Sequence, residues 1–143
     1  MFTRLSAAAL PLIAAACTTA ATPDEPTSLI VNITAEIREG AVMMALFDSA
    51  EAYDSGAPVA GAGGSVSEGT LALTFEDLEP GTYAIRAYHD LNGNGELDTN
   101  LTGMPTEPFA FSNNAPVNYG PPSFEDAAFE VTPGANTHAI SIR

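Results

Sequence analysis

Gly81–Thr106 reads GTYAIRAYHDLNGNGELDTNLTGMPT. At its start Tyr83, Ile85, Ala87 and His89 fall on one face, and Ala84, Arg86, Tyr88 and Asp90 on the other. A period of two marks a strand, because successive side chains leave a pleated backbone on opposite sides. The strand runs straight into DLNGNGELD, in which oxygen-bearing side chains recur at alternate positions. Counted from Asp90, they stand at positions 1, 3 and 5 (Asp90, Asn92, Asn94), with Gly95 at 6, the backbone carbonyl of Glu96 at 7 and the carboxylate of Asp98 at 9. Calcium is a hard cation that takes 6–8 oxygens, and alternate residues of a tight turn can converge on one point. The spacing therefore predicts a calcium loop closing a strand, with Asp90, Asn92, Asn94, Glu96 and Asp98 as metal ligands.

The loop is not an EF-hand. Leu101 occupies position 12, where that motif places a bidentate glutamate, and the flanks are strand-like instead of helical. It matches the shorter D-x-N-x-N-G-x-x-D form of extracellular calcium modules. The missing ligand must then come from water or from another segment, and Asn100, Glu107 and Glu125 are the candidates. With Asp90 and Asp98 as the clear anionic ligands, the dissociation constant is expected at roughly 10⁻⁴–10⁻³ M. The competing reading is a plain turn, since Asn-Gly pairs make good turns. Five matched positions in register are more than a turn requires.

Outward from the loop the chain reads as β-structure. Ser28–Ile37 alternates with Leu29, Val31, Ile33, Ala35 and Ile37 on one face, and Arg38-Glu39-Gly40 is a connection of hairpin size. Ala41–Phe47 is apolar on both faces, as a central strand should be, and its two methionines read as core filling. Asp48–Ser67 has no period: Ser49–Tyr53 suits one helical turn, and the Gly/Ala/Ser remainder reads as a long surface loop. Thr70–Phe75 is a third strand, expected to pair as a hairpin with Gly81–Asp90 across the Pro80-Gly81 turn. Glu107–Ser112, Phe124–Val131 and His138–Arg143 supply three more, around a Pro/Asn-rich loop at Asn113–Ser123. The expected fold is all-β, a single seven-stranded antiparallel β-sandwich of prealbumin or Ig-like type.

The ends and the composition bound the function. Met1–Arg4 is a short positive region, and Leu5–Ala16 is apolar over a length that suits a secretory signal and falls short of a membrane span. Ala14-Ala15-Ala16-Cys17 resembles a bacterial lipobox, with Cys17 the lipidation site, while Thr19-Ala20-Ala21 offers an ordinary cleavage site. Residues 1–17 are thus the signal segment, 18–27 a flexible tether with two prolines, and 28–143 the folded domain. Export to the periplasm follows, with membrane attachment only through a lipid on Cys17. The chain carries 18 acidic residues against four arginines, a net charge of −14. Such a surface repels nucleic acid, which binds proteins through Lys and Arg. Cys17 is the single cysteine, so the mature domain has no disulfide and no thiol catalyst.

Catalytic constellations are missing from the pattern. His89 and His138 have no metal-ligand spacing, no G-x-S-x-G is present, and no carboxylate pair stands out for glycoside chemistry. The expected function is a non-enzymatic, exported domain with a low-affinity structural Ca2+ site. The alternative is a carbohydrate- or peptidoglycan-binding accessory module using Tyr88, Phe109, Phe111 and Tyr119 as stacking residues.

Two resemblances extend this reading. Leu78-Glu79-Pro80-Gly81-Thr82-Tyr83 with the Asp90–Asp98 loop resembles prealbumin-like and Cna-B/SdrD-type surface β-domains, which are structural or adhesive modules. It departs from the SdrD type at Leu101, where those domains commonly carry an acidic residue. More broadly, the run from Tyr88-His89-Asp90 through Leu97-Asp98, then Gly103-Met104-Pro105 and Glu107, Phe111–Ala115 and Pro122–Ala127, looks like the exported bacterial family called domain of unknown function 2141. That likeness spans roughly residues 28–143 and implies an exported β-sandwich without an assigned activity. It also implies that the loop and the two later Asn/Pro-rich segments fold over one another, with Asn113 or Asn114 helping to complete the site.

Overall fold

A computed structural model describes residues 25–143, so the leader, Cys17 and most of the tether lie outside the described residues. The alternation of the first strand appears directly as burial. In β1 (Thr27–Ala35), Leu29, Val31, Ile33 and Ala35 are buried while Ile30, Asn32 and Thr34 are not. There follow β2 (Ala41–Phe47), α1 (Ala50–Ser55), β3 (Ala60–Ser65), β4 (Thr70–Leu78), β5 (Gly81–Asp90), β6 (Phe109–Phe111), α2 (Phe124–Ala127), β7 (Phe129–Val131) and β8 (Ala135–Ile142).

The strands form two sheets. One has the order β4-β1-β8, the other β3-β2-β5-β6, with β7 pairing β5 beyond the end of β6. The inward residues of both sheets, among them Leu29, Val31, Ile33, Val42, Leu46, Ile85, Ile140 and Ile142, make one core cluster. Each fully buried side chain of this size contributes about 1.5–3 kcal/mol through water-free apolar surface. A second cluster (Phe47, Tyr53, Ala84, Phe111, Ala115 and Ala127) lies on the other face of β5 under α1 and α2. Burial on both faces is why β2 and β5 carry few of the acidic residues.

The mostly-β, two-sheet expectation holds, and several finer expectations do not. Among the described residues there are eight strands, and β1 runs parallel to β8 from Ser28↔Ala135 to Ala35↔Ile142, so the architecture is not wholly antiparallel. Neither expected hairpin forms. β4 pairs with β1, whereas β5 pairs with β2, so the Glu79-Pro80 connection passes between sheets, as does the Arg38–Gly40 connection. A short turn fixes how far the chain travels but not whether its second arm joins the same sheet. Near that turn the β1–β4 register shifts between Thr27 and Leu29, where Asp77 takes φ 55°, and the pairing resumes at Thr27↔Leu78.

Ala60–Ser65, expected as loop, is an edge strand on β2 from Ala41↔Ser65 to Leu46↔Ala60. Its glycines look wrong for a strand by propensity, but two of them lie where space is tight. A Cβ on Gly63 would stand 2.5 Å from Met43 Sδ, and one on Gly64 would crowd Leu71 and Leu73 of the facing sheet at 3.2 and 3.3 Å. In the expected strand at Phe124–Val131, Ser123 accepts from the Asp126 amide at 3.2 Å and starts a helical turn, which leaves only Phe129–Val131 extended. The helical turn expected at Ser49–Tyr53 is α1, capped by the Ser49 hydroxyl accepting from Ala52 N at 3.2 Å.

Candidate functional site

β5 is the central strand of its sheet, paired with β2 from Ala41↔Asp90 to Phe47↔Ala84 and with β6 and β7 on the other side. Its final residue is therefore held on a rigid frame. Past β6, the His89 amide donates to the Pro108 carbonyl at 2.8 Å, which carries the pairing up to the root of the loop. Asp90 is 3% exposed although it begins a solvent loop.

The Asp90 carboxylate organises that loop. Its Oδ1 accepts from Gly93 N at 2.7 Å and its Oδ2 from Gly95 N at 2.8 Å. Both glycines take φ 76°, a conformation that a residue with a Cβ rarely adopts. Hydrogen bonds from the loop backbone, that of Gly95 foremost, hold the Asp90 carboxyl below the ordinary value of 3.8 by favouring its charged form. Asn92 Oδ1 accepts from Asn94 N at 3.0 Å, and Asn94 Oδ1 accepts from Glu96 N at 2.8 Å. The two side-chain amides then turn to one carboxylate. Asn92 Nδ2 donates to Asp98 Oδ2, and Asn94 Nδ2 donates to Asp98 Oδ1 at 2.8 Å.

Three of the five expected ligands, Asn92, Asn94 and Asp98, thus meet through their side chains, while the Asp90 side chain bonds to the loop backbone. Glu96 takes part through its main chain, and its side chain is exposed. A carboxylate offers about four lone-pair sites and an amide oxygen two. Asp90, Asn92 and Asn94 each retain acceptor capacity beyond the bonds described, while both amides turn their N–H groups to Asp98. Among the described residues no three His, Cys, Asp or Glu side chains gather as a metal-holding group. The loop offers two carboxylates, two amides and a carbonyl, an oxygen set unlike the N/S sets of zinc sites.

Glu107 comes closest of the proposed extra ligands, and it has a different task. It is 7% exposed, and its Oε1 accepts from Leu91 N at 2.8 Å while Oε2 accepts from Asp98 N at 3.2 Å. One buried carboxylate therefore ties the first and last turns of the loop together. Sequence reasoning nominated the residue but missed this role, because only the β5–β6 pairing shows that Glu107 stands level with the root of the loop. Tyr88 was also missed as a brace: its hydroxyl donates to the Gly95 carbonyl at 2.6 Å. Burial, followed by the nearby Asp90, Glu107 and Glu96 charges, raises the Tyr88 phenol above 10.0.

The remaining candidates lie elsewhere. Asn100 Oδ1 accepts from Thr102 N, Thr102 Oγ1 and Met104 N at 2.9, 2.6 and 3.0 Å, closing its own turn. Glu125 stands in the first turn of α2. Asn113 and Asn114 close the β6–β8 edge, where Asn113 Nδ2 donates to Ala128 O at 2.7 Å and Asn114 Oδ1 accepts from Ser141 N at 2.8 Å. The adjoining Ser112 hydroxyl meets Ile85 N at 2.9 Å, which puts this group about 16 Å down β5 from Asp90 at the strand rise of ~3.3 Å per residue. The Asn/Pro-rich segments do not fold over the loop.

Both histidines are strand residues with partners. His89 is fully buried, and its Nε2 lies 2.5 Å from the Glu39 carbonyl, which assigns the proton to Nε2 and leaves Nδ1 without a partner. His138 Nε2 accepts from Asn113 N at 3.1 Å, and its ring stacks on Phe129 with centroids 4.1 Å apart. Burial lowers the His138 imidazole below 6.5. Arg86 lies 3.9 Å over the Tyr53 ring and donates from Nη2 to Tyr53 O at 2.7 Å. Of the aromatic residues considered for stacking on a sugar, Phe111 is buried and packed edge-on against Phe109 at 5.9 Å. Tyr119 stands wholly in solvent with φ 59°.

The family model described as "Uncharacterized protein conserved in bacteria (DUF2141)" matches residues 31–139, and the chain belongs to this family. No curated protein and no solved structure matches it.

Proposed function

We propose that this DUF2141-family chain is an exported, non-enzymatic β-domain whose Asp90–Asp98 loop takes a calcium ion at low affinity to stiffen one end of the fold. The observation that carries the reading is the convergence of Asn92 and Asn94 on Asp98, in a loop whose backbone Asp90 orders through two amides. A cation placed among these oxygens relieves the concentration of negative charge on a chain of net charge −14. The leader supports delivery to the periplasm, with Cys17 as lipid anchor or cleavage near Ala21 as the two exits. The likeness to Cna-B/SdrD-type domains supports a structural or adhesive role.

The test is a thermal melt of the purified chain in EGTA and then across a calcium titration, with magnesium as control. A ligand that binds only the folded state stabilises it by RT ln(1 + [L]/Kd), about 2.7 kcal/mol at a hundredfold excess. A saturable rise with calcium that is lost in Asp90→Ala/Asp98→Ala is the expected result. No rise, or a rise that survives the double substitution, sinks the assignment.

A further inference from the structure

We infer that Asn92 and Asn94 form a spontaneous deamidation site whose rate is set by Asp90 and Asp98. These are the two Asn-Gly steps of the chain, adjacent and exposed. Asn-Gly is the step most prone to this reaction because glycine has no Cβ to shield its nitrogen. In the first step the Gly93 nitrogen attacks Cγ of Asn92 and a new N–Cγ bond forms. The nitrogen gives up its proton to solvent, and the side-chain nitrogen takes one proton from solvent and leaves as ammonia. One water then opens the resulting five-membered imide at either carbonyl, giving aspartate or isoaspartate with no change of oxidation state. Asn94 and Gly95 repeat the scheme.

The structure holds every reacting group of both steps in a hydrogen bond. The two nucleophiles, Gly93 N and Gly95 N, donate to the two oxygens of Asp90 at 2.7 and 2.8 Å. The two leaving amides, Asn92 Nδ2 and Asn94 Nδ2, donate to the two oxygens of Asp98. The two carbonyl oxygens are held by Asn94 N and Glu96 N at 3.0 and 2.8 Å. For either ring to close, one bond to Asp90 and one to Asp98 must break together. One aspartate therefore guards both nucleophiles and the other both leaving groups.

Once it occurs, the change is one-way. An aspartate in place of Asn92 or Asn94 removes a donor to Asp98 and faces it with a like charge. An isoaspartate adds a backbone methylene and breaks the alternate-position spacing that brings Asn92, Asn94 and Asp98 together. The loop thus carries a clock that runs only while it is open. This mechanism needs no cation and is tested without one.

The purified chain is incubated in EGTA at neutral pH beside the unstructured nonapeptide of Asp90–Asp98, and deamidation at each asparagine is followed by peptide mass spectrometry. Both sites are expected to react at least about tenfold more slowly in the chain than in the nonapeptide. Asp90→Ala should raise both rates about tenfold, the factor that one hydrogen bond to a charged group is worth at its lower end. Asp90→Asn keeps a single acceptor oxygen, so the two rates should diverge. If Asp90→Ala does not fold, Asp90→Asn and the nonapeptide comparison decide. Reaction in the chain at the nonapeptide rate, or a folded Asp90→Ala that ages like the unmodified chain, overturns the inference.

Discussion

Removing the Glu107 carboxylate should unlatch the loop without disturbing the residues that gather inside it. In Glu107→Ala the amides of Leu91 and Asp98, now 2.8 and 3.2 Å from Glu107 oxygens, lose a charged acceptor in a place that is 7% exposed. A hydrogen bond to a charged group is worth about 1.5–3 kcal/mol. The loop can rehydrate by opening, which puts the pair near the lower bound, about 3 kcal/mol. Glu107→Gln keeps one acceptor oxygen and turns a donor toward the other amide, so about half that loss is expected. For a domain of about 120 residues this corresponds to a fall in Tm of about 10 °C for alanine and about 5 °C for glutamine. The assay is calorimetry in EGTA, joined to native-state hydrogen exchange read at the Leu91 and Asp98 amides, which should lose protection first. A fall under about 2 °C with unchanged exchange at both amides would refute the latch. A calcium-induced rise that persists in Glu107→Gln fits a residue that grips backbone; its disappearance would make Glu107 a metal ligand instead.

Two glycines should separate backbone constraint from side-chain crowding. Gly40 takes φ 91°, and a Cβ there would stand 2.8 Å from the Asp90 carbonyl, so Gly40→Ala should cost more than about 2 kcal/mol and loosen the loop. Gly63→Ala crowds the end of the flexible Met43 side chain, with Val42 O at an ordinary 3.4 Å, and should cost under about 1 kcal/mol by denaturant melts; equal costs would contradict the packing described. Stability should fall in two stages on acidification. The native His138 imidazole is held below 6.5, so the unfolded state binds the proton first; stability is full above 6.5 and drops as pH falls through the lower native value. Asp90 is held below 3.8, so its contribution is full above that value and is lost as pH falls through the native one. His138→Gln should remove the upper stage from a pH series of melts, and an unchanged curve would count against it.

The sequence alone determined what depends on neighbours along the chain. The alternation of Leu29, Val31 and Ile33 gives β1 its buried face, and that of Tyr83, Ile85 and Ala87 does the same for β5. The spacing of Asp90, Asn92, Asn94 and Asp98 was legible because a tight turn brings alternate residues together by local geometry. The Ser49 cap was legible because a hydroxyl reaches an amide three residues on. What tertiary structure decided depends on partners far off in sequence. Ala60–Ser65 becomes a strand because β2 offers a free edge and Leu71 and Leu73 of the facing sheet take the space that Gly64 leaves. β4 pairs with β1 and β5 with β2 because burying two apolar faces against each other outweighs the nearest turn. Glu107 becomes a latch because sheet order carries it to the root of a loop that begins at Asp90. Local patterns state which side of a strand is apolar and which turn can form, whereas the pairing of strands is settled by the whole core at once, since hydrophobic burial is non-directional.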